Sequence, residues 1–398
     1  MLDTDSVLAS DQSLSLYVHV PWCVKKCPYC DFNSHALANH SQVPDWAPYL
    51  GALKQDLQAQ IKRFNEWAQL AQRQLISIFI GGGTPSVLPP EFYESLLCDV
   101  RAQLRCHPEM EVTIEANPGR LDQAHLQGYF DVGINRLSIG VQSFQAEALN
   151  HLGRIHSADQ AEAAIEHALA VGFERINVDL MMGLPEQGVR ECVADLKKAL
   201  AFPITHLSWY QLTLEPNTAF YRTPPPLPTE GVIDQMFQAG QAYFAEQGFT
   251  AYEVSAYAKQ PDHRSVHNRQ YWRFGDYLGI GAGAHGKLTD PKTRAVVRTR
   301  QHKMPPQYQS QVQFPHVVDE VKTAELPFEY ALNVWRLRDV FSVNDFETRL
   351  GLSKSCIEAP LAEAVRLGLI VEEEENVFRK TALGERFLND LVGLFCGG

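Results

Sequence analysis

The chain of 398 residues is 45% hydrophobic, enough for one large core and a smaller one, and its net charge of -12 argues against nucleic acid, since duplex affinity rests on Lys and Arg neutralising phosphates. Residues 1–12 lack the basic head and apolar run of a secretory signal, and no stretch reaches the roughly 18 to 20 apolar residues that cross a bilayer. The sequence therefore predicts a cytoplasmic protein in a reducing compartment, whose eight cysteines serve metal or redox chemistry more readily than disulfides.

From residue 14 to 212, short β-branched runs alternate with longer amphipathic ones, the pattern of βα units around a parallel sheet. Six strands are predicted: Leu14–Val20, Ile76–Ile80, Val112–Ala116, Arg136–Gly140, Arg175–Asp179 and His206–Leu212. Helices are predicted between them at Ala47–Ala71, Pro90–Leu104, Leu121–Phe130, Ala158–Ala170 and Arg190–Ala201. The expected fold is α/β, a partial six-stranded (β/α) TIM-type barrel over residues 14–250, after a tail at 1–13. Residues 251–302 read as a loop-rich extension of the barrel, 303–315 as a Gln- and Pro-rich linker, and 316–398 as a small helical unit with a hairpin, resembling a winged helix.

The unusual residues fall at strand ends, where parallel sheets and barrels keep their active face. Cys23, Cys27 and Cys30 follow the first strand, and Gly81, Gly82, Gly83 and Thr84 the second. Glu115 and Asn117 close the third, Gln142 follows the fourth, Asp179 closes the fifth, and Tyr210 and Gln211 lie near the end of the sixth.

Cys23-Val-Lys-Lys-Cys27-Pro-Tyr-Cys30 is a C-x3-C-x2-C run, and thiolates are soft ligands suited to iron-sulfur clusters and to zinc. Three thiolates on a 4Fe-4S cubane leave one iron open to chelate the amino and carboxylate groups of S-adenosylmethionine and to cleave it reductively to a radical. A zinc site completed by His19 or His35 also explains the cysteines, but not the glycine loop or the polar strand ends. Cys98, Cys106, Cys192, Cys356 and Cys396 stand apart and are expected to be packing residues.

The glycine run lets backbone amides approach a ligand closely, while Glu115, Gln142 and Asp179 suit hydroxyls and an amino group, and Arg154 a carboxylate. His267-Asn-Arg-Gln-Tyr271-Trp272 places an imidazole near two aromatic rings. That histidine suits heme iron with the rings against a porphyrin face, or a hydrogen-bonded structural role.

These residues together resemble a known family. Tyr17-Val-His-Val-Pro-Trp-Cys23, with Cys27-Pro-Tyr29-Cys30-Asp31-Phe32, is similar to radical S-adenosylmethionine proteins of the oxygen-independent coproporphyrinogen III oxidase class. GGGTPS from Gly81, IEANP from Ile114, GVQSF from Gly140, LGR at Leu152–Arg154 and NVDLMMGLP from Asn177 extend the likeness, as do YEVSAYA from Tyr252 and HNRQYW. Cys30-Asp31-Phe32 stands where the dehydrogenases have Cys-Gly-Cys, and only 16 residues precede Tyr17, so the chain resembles the heme-chaperone subgroup. The resemblance implies S-adenosylmethionine contacts from Tyr17, Tyr29, Gly82, Gly83, Thr84, Glu115, Gln142, Arg154 and Asp179, and a heme-site role for His267. It implies heme as cargo, recipient hemoproteins such as respiratory cytochromes, an outside electron donor, and membrane contact only through a partner; a homodimer is compatible with it. The alternative activity is the decarboxylation of coproporphyrinogen III.

Overall fold

The computed structural model describes Leu8 and residues 12–37, 45–312 and 315–396, and the side chains of 120–123 are not among those described. Most of the expected tail lies outside the described residues, but Leu8 packs on Ile76 and Val266, and Ser13 already belongs to the first strand.

All six expected strands form: β1 (Ser13–Val20), β2 (Gln74–Gly82), β3 (Cys106–Ala116), β4 (Arg136–Gln142), β5 (Arg175–Met182) and β6 (His206–Gln211). Each pairs in parallel with the next, as in Leu16 beside Ile78 and Val178 beside Leu207. Between them run α1 (Ala47–Ala68), α2 (Pro90–Gln103), α3 (Arg120–Asp131), α4 (Ala146–His151), α5 (Ala158–Val171) and α6 (Val189–Leu200). Ser157 starts α5 with a reciprocal capping box to Gln160, and Gly172 ends it in the left-handed conformation at φ 107°. Five strands run beyond the sequence expectation: β1 starts at Ser13, β2 spans Gln74–Gly82, β3 starts at Cys106, β4 includes Gln142, and β5 continues to Met182, past Asp179.

Side-chain alternation decides what each face of this sheet does. Leu14, Leu16, Val18, Ile78, Ile80, Val112 and Ile114, with their counterparts on β4 to β6, turn outward into one core shared with the helices. Each such side chain contributes about 1.5–3 kcal/mol of burial. The opposite face carries Ser15, Tyr17 and His19 on β1, Glu111, Thr113 and Glu115 on β3, and Asn177 and Asp179 on β5. A barrel of this type is usually filled by bulky branched side chains. Here the interior is polar, so it holds a site instead of a second core.

Residues 251–302 are not loop-rich. They form β7 (Thr250–Glu253), β8 (Ala256–Ala258), β9 (Asp276–Ile280), β10 (His285–Thr289) and β11 (Val296–Arg300), joined by β12 (Val317–Glu320) from beyond the expected linker. The sheet runs β12-β11-β10-β9-β1-β2-β3-β4-β5-β6-β8-β7. β9 lies parallel to β1, while β10, β11 and β12 alternate in direction. These strands have at most five residues, and glycines break their alternation for steric reasons. A Cβ on Gly279 would fall 1.9 Å from the His285 carbonyl oxygen, and one on Gly281 2.4 Å from that of His19. The segment expected as a linker carries a helix, Pro305–Ser310, whose Tyr308 is buried in the main core and donates to Asp56 at 2.8 Å.

The N-terminal end of the barrel is plugged by the helix α9 (Val266–Trp272), when the short helix Ala219–Arg222 and the helix Glu230–Glu246 are counted α7 and α8. Its backbone amides at Val266 and His267 donate to Glu111 at 3.2 and 3.1 Å, and Arg175 and Arg136 face the same carboxylate at 3.0 and 3.9 Å. A second core follows, with Trp335 stacked on Phe341 at 4.7 Å and Tyr330, Phe346 and Phe395 around them. Its helices Leu326–Val334, Val343–Leu350 and Glu358–Arg366 precede a hairpin, Ile370–Glu374 with Val377–Lys380, which is the element order of a winged helix. Of the five cysteines expected to pack, only Cys192 is buried; Cys106 is half-buried, and Cys98, Cys356 and Cys396 are exposed.

Candidate functional site

The loop after β1 is tied down on three sides before any ligand is considered. The His35 amide donates to the Pro21 carbonyl at 2.7 Å and the Leu37 amide to that of Cys23 at 3.0 Å, closing it on itself. Lys26 Nζ reaches the Phe32 and Ser34 carbonyls at 3.1 and 3.2 Å. On the second side, the Gly83 and Thr84 amides donate to Val20 and Trp22 at 2.7 Å each; on the third, the Phe220 amide donates to Pro28 at 3.0 Å.

The glycine run serves this docking. A Cβ on Gly83 would lie 2.5 Å from the Trp22 carbonyl oxygen, and one on Gly82, at φ 118°, 2.6 Å from the His19 ring. Gly83 is therefore required for contact with the thiol loop itself, while Gly82 packs on β1 and lies behind the cavity wall with its amide donating to Glu115 at 3.0 Å.

Cys23, Cys27 and Cys30 line one cavity of about 480 Å³ at the C-terminal ends of the strands. Tyr29, Gly83, Thr84, Glu115, Gln142, Arg154 and Asp179 line the same cavity. Of the predicted S-adenosylmethionine contacts, Gly82 and Tyr17 do not: Tyr17 shares a hydrogen bond with His19 Nδ1 at 2.9 Å and stacks on Phe79 inside the barrel. Sequence reading missed Ser138 and Ser208, which also line it; Ser208 lies two residues before Tyr210, and Ser138 four before Gln142.

The thiols fit a metal cluster chemically. Burial pushes the Cys23 and Cys30 thiols above their ordinary pKa, and coordination to a metal would favour their thiolate form. His19 is not free to complete a zinc site, because its other ring nitrogen bonds the Asn33 carbonyl at 2.8 Å. Among the described residues no three His, Cys, Asp or Glu side chains converge on one point as zinc requires, whereas a cubane spreads three thiolates over three irons.

Arg154 leans over the loop. Nη1 donates to Cys27 Sγ at 3.7 Å and Nη2 to Asn117 Oδ1 and the Gly140 carbonyl at 2.6 and 2.7 Å, while the buried Nε has no partner. That free donor suits a ligand carboxylate. Opposite it are two buried carboxylates. Burial first, then the charge of Asp179, raises Glu115 to about 8; burial likewise raises Asp179 against hydrogen bonds from Asn177, Ser208 and Ser138. Two such acids favour a ligand that brings positive charge and hydroxyls, which a sulfonium nucleoside does. Gln142 sits at φ 70°, and the Tyr210 hydroxyl donates to its Oε1 at 2.7 Å, leaving the amide NH2 for a ligand.

His267 is elsewhere. It is 1% exposed in the barrel plug, with Nδ1 against Ser77 Oγ at 3.0 Å and Nε2 against Tyr271 Oη at 2.7 Å. Both nitrogens are engaged, and burial lowers its pKa to about 3. These contacts match the hydrogen-bonded structural role that the residue types also allow. Asn268 and Trp272 donate to the buried Glu253 at 3.3 and 2.7 Å, completing the plug.

A parallel partial barrel with three thiols beside two acids and a guanidinium defines the class of radical S-adenosylmethionine proteins. Residues 17–199 match the Radical SAM superfamily. Across 96% of its length the chain is 43% identical to the heme chaperone HemW of Haemophilus influenzae, covering 97% of that protein. It is 33% identical, over the same share, to that of Bacillus subtilis, covering 99%. The solved HemN coproporphyrinogen III oxidase of Escherichia coli superposes with a TM-score of 0.80 at 23% identity, over 98% of this chain and 92% of that one, which shows the shared fold. The chain belongs to the HemW family of the radical SAM superfamily.

Proposed function

We propose that the chain is a heme chaperone that binds heme and passes it to hemoproteins. The observation that carries this reading is the 43% identity with a heme chaperone over nearly the whole of both chains. The end of the thiol motif supports it: Asp31 and an exposed Phe32 follow Cys30.

Cys23, Cys27 and Cys30 hold a 4Fe-4S cluster, and the cavity beside them takes S-adenosylmethionine. When bound, the cluster supplies a Lewis-acidic iron and a one-electron reductant to the sulfonium. Arg154 binds the carboxylate, Gln142, Glu115 and Asp179 orient amino group and ribose, and the walls of β3 to β6 keep water from the sulfonium. The recipients include membrane-bound respiratory hemoproteins, reached from the cytoplasm through contact with the partner. No helix among the described residues is long and apolar enough to cross a membrane.

Anaerobic incubation of the reconstituted chain with coproporphyrinogen III, S-adenosylmethionine and a reductant tests the reading, with heme transfer to an apo-cytochrome measured on the same sample. Heme transfer without protoporphyrinogen is expected. Turnover to protoporphyrinogen would replace the chaperone with a dehydrogenase.

A further inference from the structure

His267 is buried in the plug, whereas the extension of the sheet offers two histidines within reach of solvent. β11 runs parallel to β1, so its C-terminal end, Arg300, lies on the same rim as the thiol loop; the starts of β10 and β12 reach that rim from the other direction. This brings His285 opposite Arg300, and places His302 against His316 with ring centroids 3.8 Å apart.

The patch differs in charge from the rest of the acidic chain. Residues 298–316 contain Arg298, Arg300 and Lys303 and no carboxylate. Arg298 is paired with Glu329, whereas Arg300 and Lys303 are exposed and have no ion-pair partner among the described residues. Burial first, then the charges of Arg300 and Lys303, hold the His285 imidazole below its ordinary pKa.

The patch is also continuous with the thiol loop. Asn33 Nδ2 donates to the Ala282 and Lys303 carbonyls at 2.8 Å each. On either side of that bridge, Phe32 is 58% and Met304 49% exposed, two large apolar groups left facing solvent on one rim.

We propose that the His302–His316 pair is where the chain receives heme: one imidazole takes the iron, Phe32 and Met304 pack on the porphyrin, and Arg300 and Lys303 face its propionates. The proposal rests on the chaperone reading and gives that reading its cargo site. Rings stacked this closely cannot take opposite faces of one heme, so the iron receives a single ligand from the pair. Its other face is then left to a recipient's own ligand.

The test is a hemin titration of the full chain carrying its cluster, read by the Soret band, with iron-sulfur content and S-adenosylmethionine affinity as folding controls. His302→Ala with His316→Ala is expected to weaken hemin binding at least about tenfold with both controls unchanged, as expected for loss of an axial ligand. Arg300→Ser with Lys303→Ser is expected to weaken it about threefold to thirtyfold, and to make no difference to hemin dimethyl ester, which lacks the carboxylates. Unchanged hemin affinity in the histidine double variant overturns the site and leaves the chaperone reading standing. A wild-type chain that takes no hemin sinks that reading, and the site with it.

Discussion

Nη1 of Arg154 donates to Sγ of Cys27 across 3.7 Å, so a single side chain bridges the end of β4 and the thiol loop. Its Nη2 is already committed to Asn117 and Gly140, which fixes the guanidinium plane before a ligand arrives. Replacing it with methionine keeps much of the packing and removes the charge. Arg154→Met is expected to lose about tenfold to a hundredfold in S-adenosylmethionine affinity, the worth of one charge-assisted hydrogen bond. Iron and sulfide content should stay near wild type, because Arg154 is not a ligand. Calorimetric titration beside iron analysis checks both, and undiminished affinity would remove Arg154 from the binding set.

Gly83 makes the opposite prediction. Its backbone sits so close to Trp22 that an added Cβ meets the carbonyl oxygen at 2.5 Å and the carbonyl carbon at 2.8 Å, both backbone atoms that cannot rotate away. Gly83→Ala must shift the loop that carries Cys23. The expected result is a sharp drop in cluster occupancy after anaerobic reconstitution, visible as lost absorbance and lost sulfide, with S-adenosylmethionine binding falling in parallel. Full occupancy would show that the loop can move without losing its metal.

What the sequence disclosed follows from which physical signals are local. The six βα strands could be read because apolar side chains alternate along them, and Glu115, Gln142 and Asp179 because they close or follow those strands. Ser138 and Ser208 escaped, since a small polar residue inside a strand gives no signal until the barrel curls and its inner face is known. β9 to β12 escaped because glycines needed for close backbone approach, such as Gly279 and Gly281, interrupt the alternation of already short strands. The heme-site role of His267 comes from the family resemblance, since an imidazole beside tyrosine and tryptophan suits a porphyrin and a hydrogen-bonded plug alike. Its contact with Ser77 could not be read from the sequence, because it joins residues far apart in the chain, and the one with Tyr271 closes only once α9 forms.

Asp56 provides a pH test. It is fully buried between α1 and the chain around Gly281, and accepts hydrogen bonds from Gln60, Gln301, Tyr308 and the Gly281 amide. Burial outweighs these donors and raises its pKa to about 7. A carboxyl raised above its unfolded value contributes stability in acid and loses it as pH climbs through the folded value. From pH 6 to pH 8 the loss is about 1.4 kcal/mol for this group. Urea unfolding of the metal-free chain at both pH values should therefore show wild type falling by about that much relative to Asp56→Asn. Parallel behaviour of the two proteins would mean that Asp56 stays ionised across the range.

Glu111 carries the last prediction, because it holds the barrel, the plug and two arginines together. Its carboxylate is 1% exposed and receives the amides of Val266 and His267 besides facing Arg175 and Arg136. Burial alone would raise its pKa, but the two guanidinium groups and the two amides bring it below the ordinary value. With a depressed folded pKa, its stabilisation is present above the unfolded value and lost as pH falls through the folded one. Glu111→Gln keeps the shape and leaves the buried Arg136 without its counter-charge, which costs about 3–5 kcal/mol when one partner of a buried pair is removed. The expected variant unfolds at lower urea, loses protection of the α9 amides in hydrogen exchange first, and still assembles its cluster at low temperature because the thiol loop lies at the other end of the strands. Wild-type stability in this variant would mean that the plug is held by its apolar contacts, and that the ion cluster beneath it only sets its orientation.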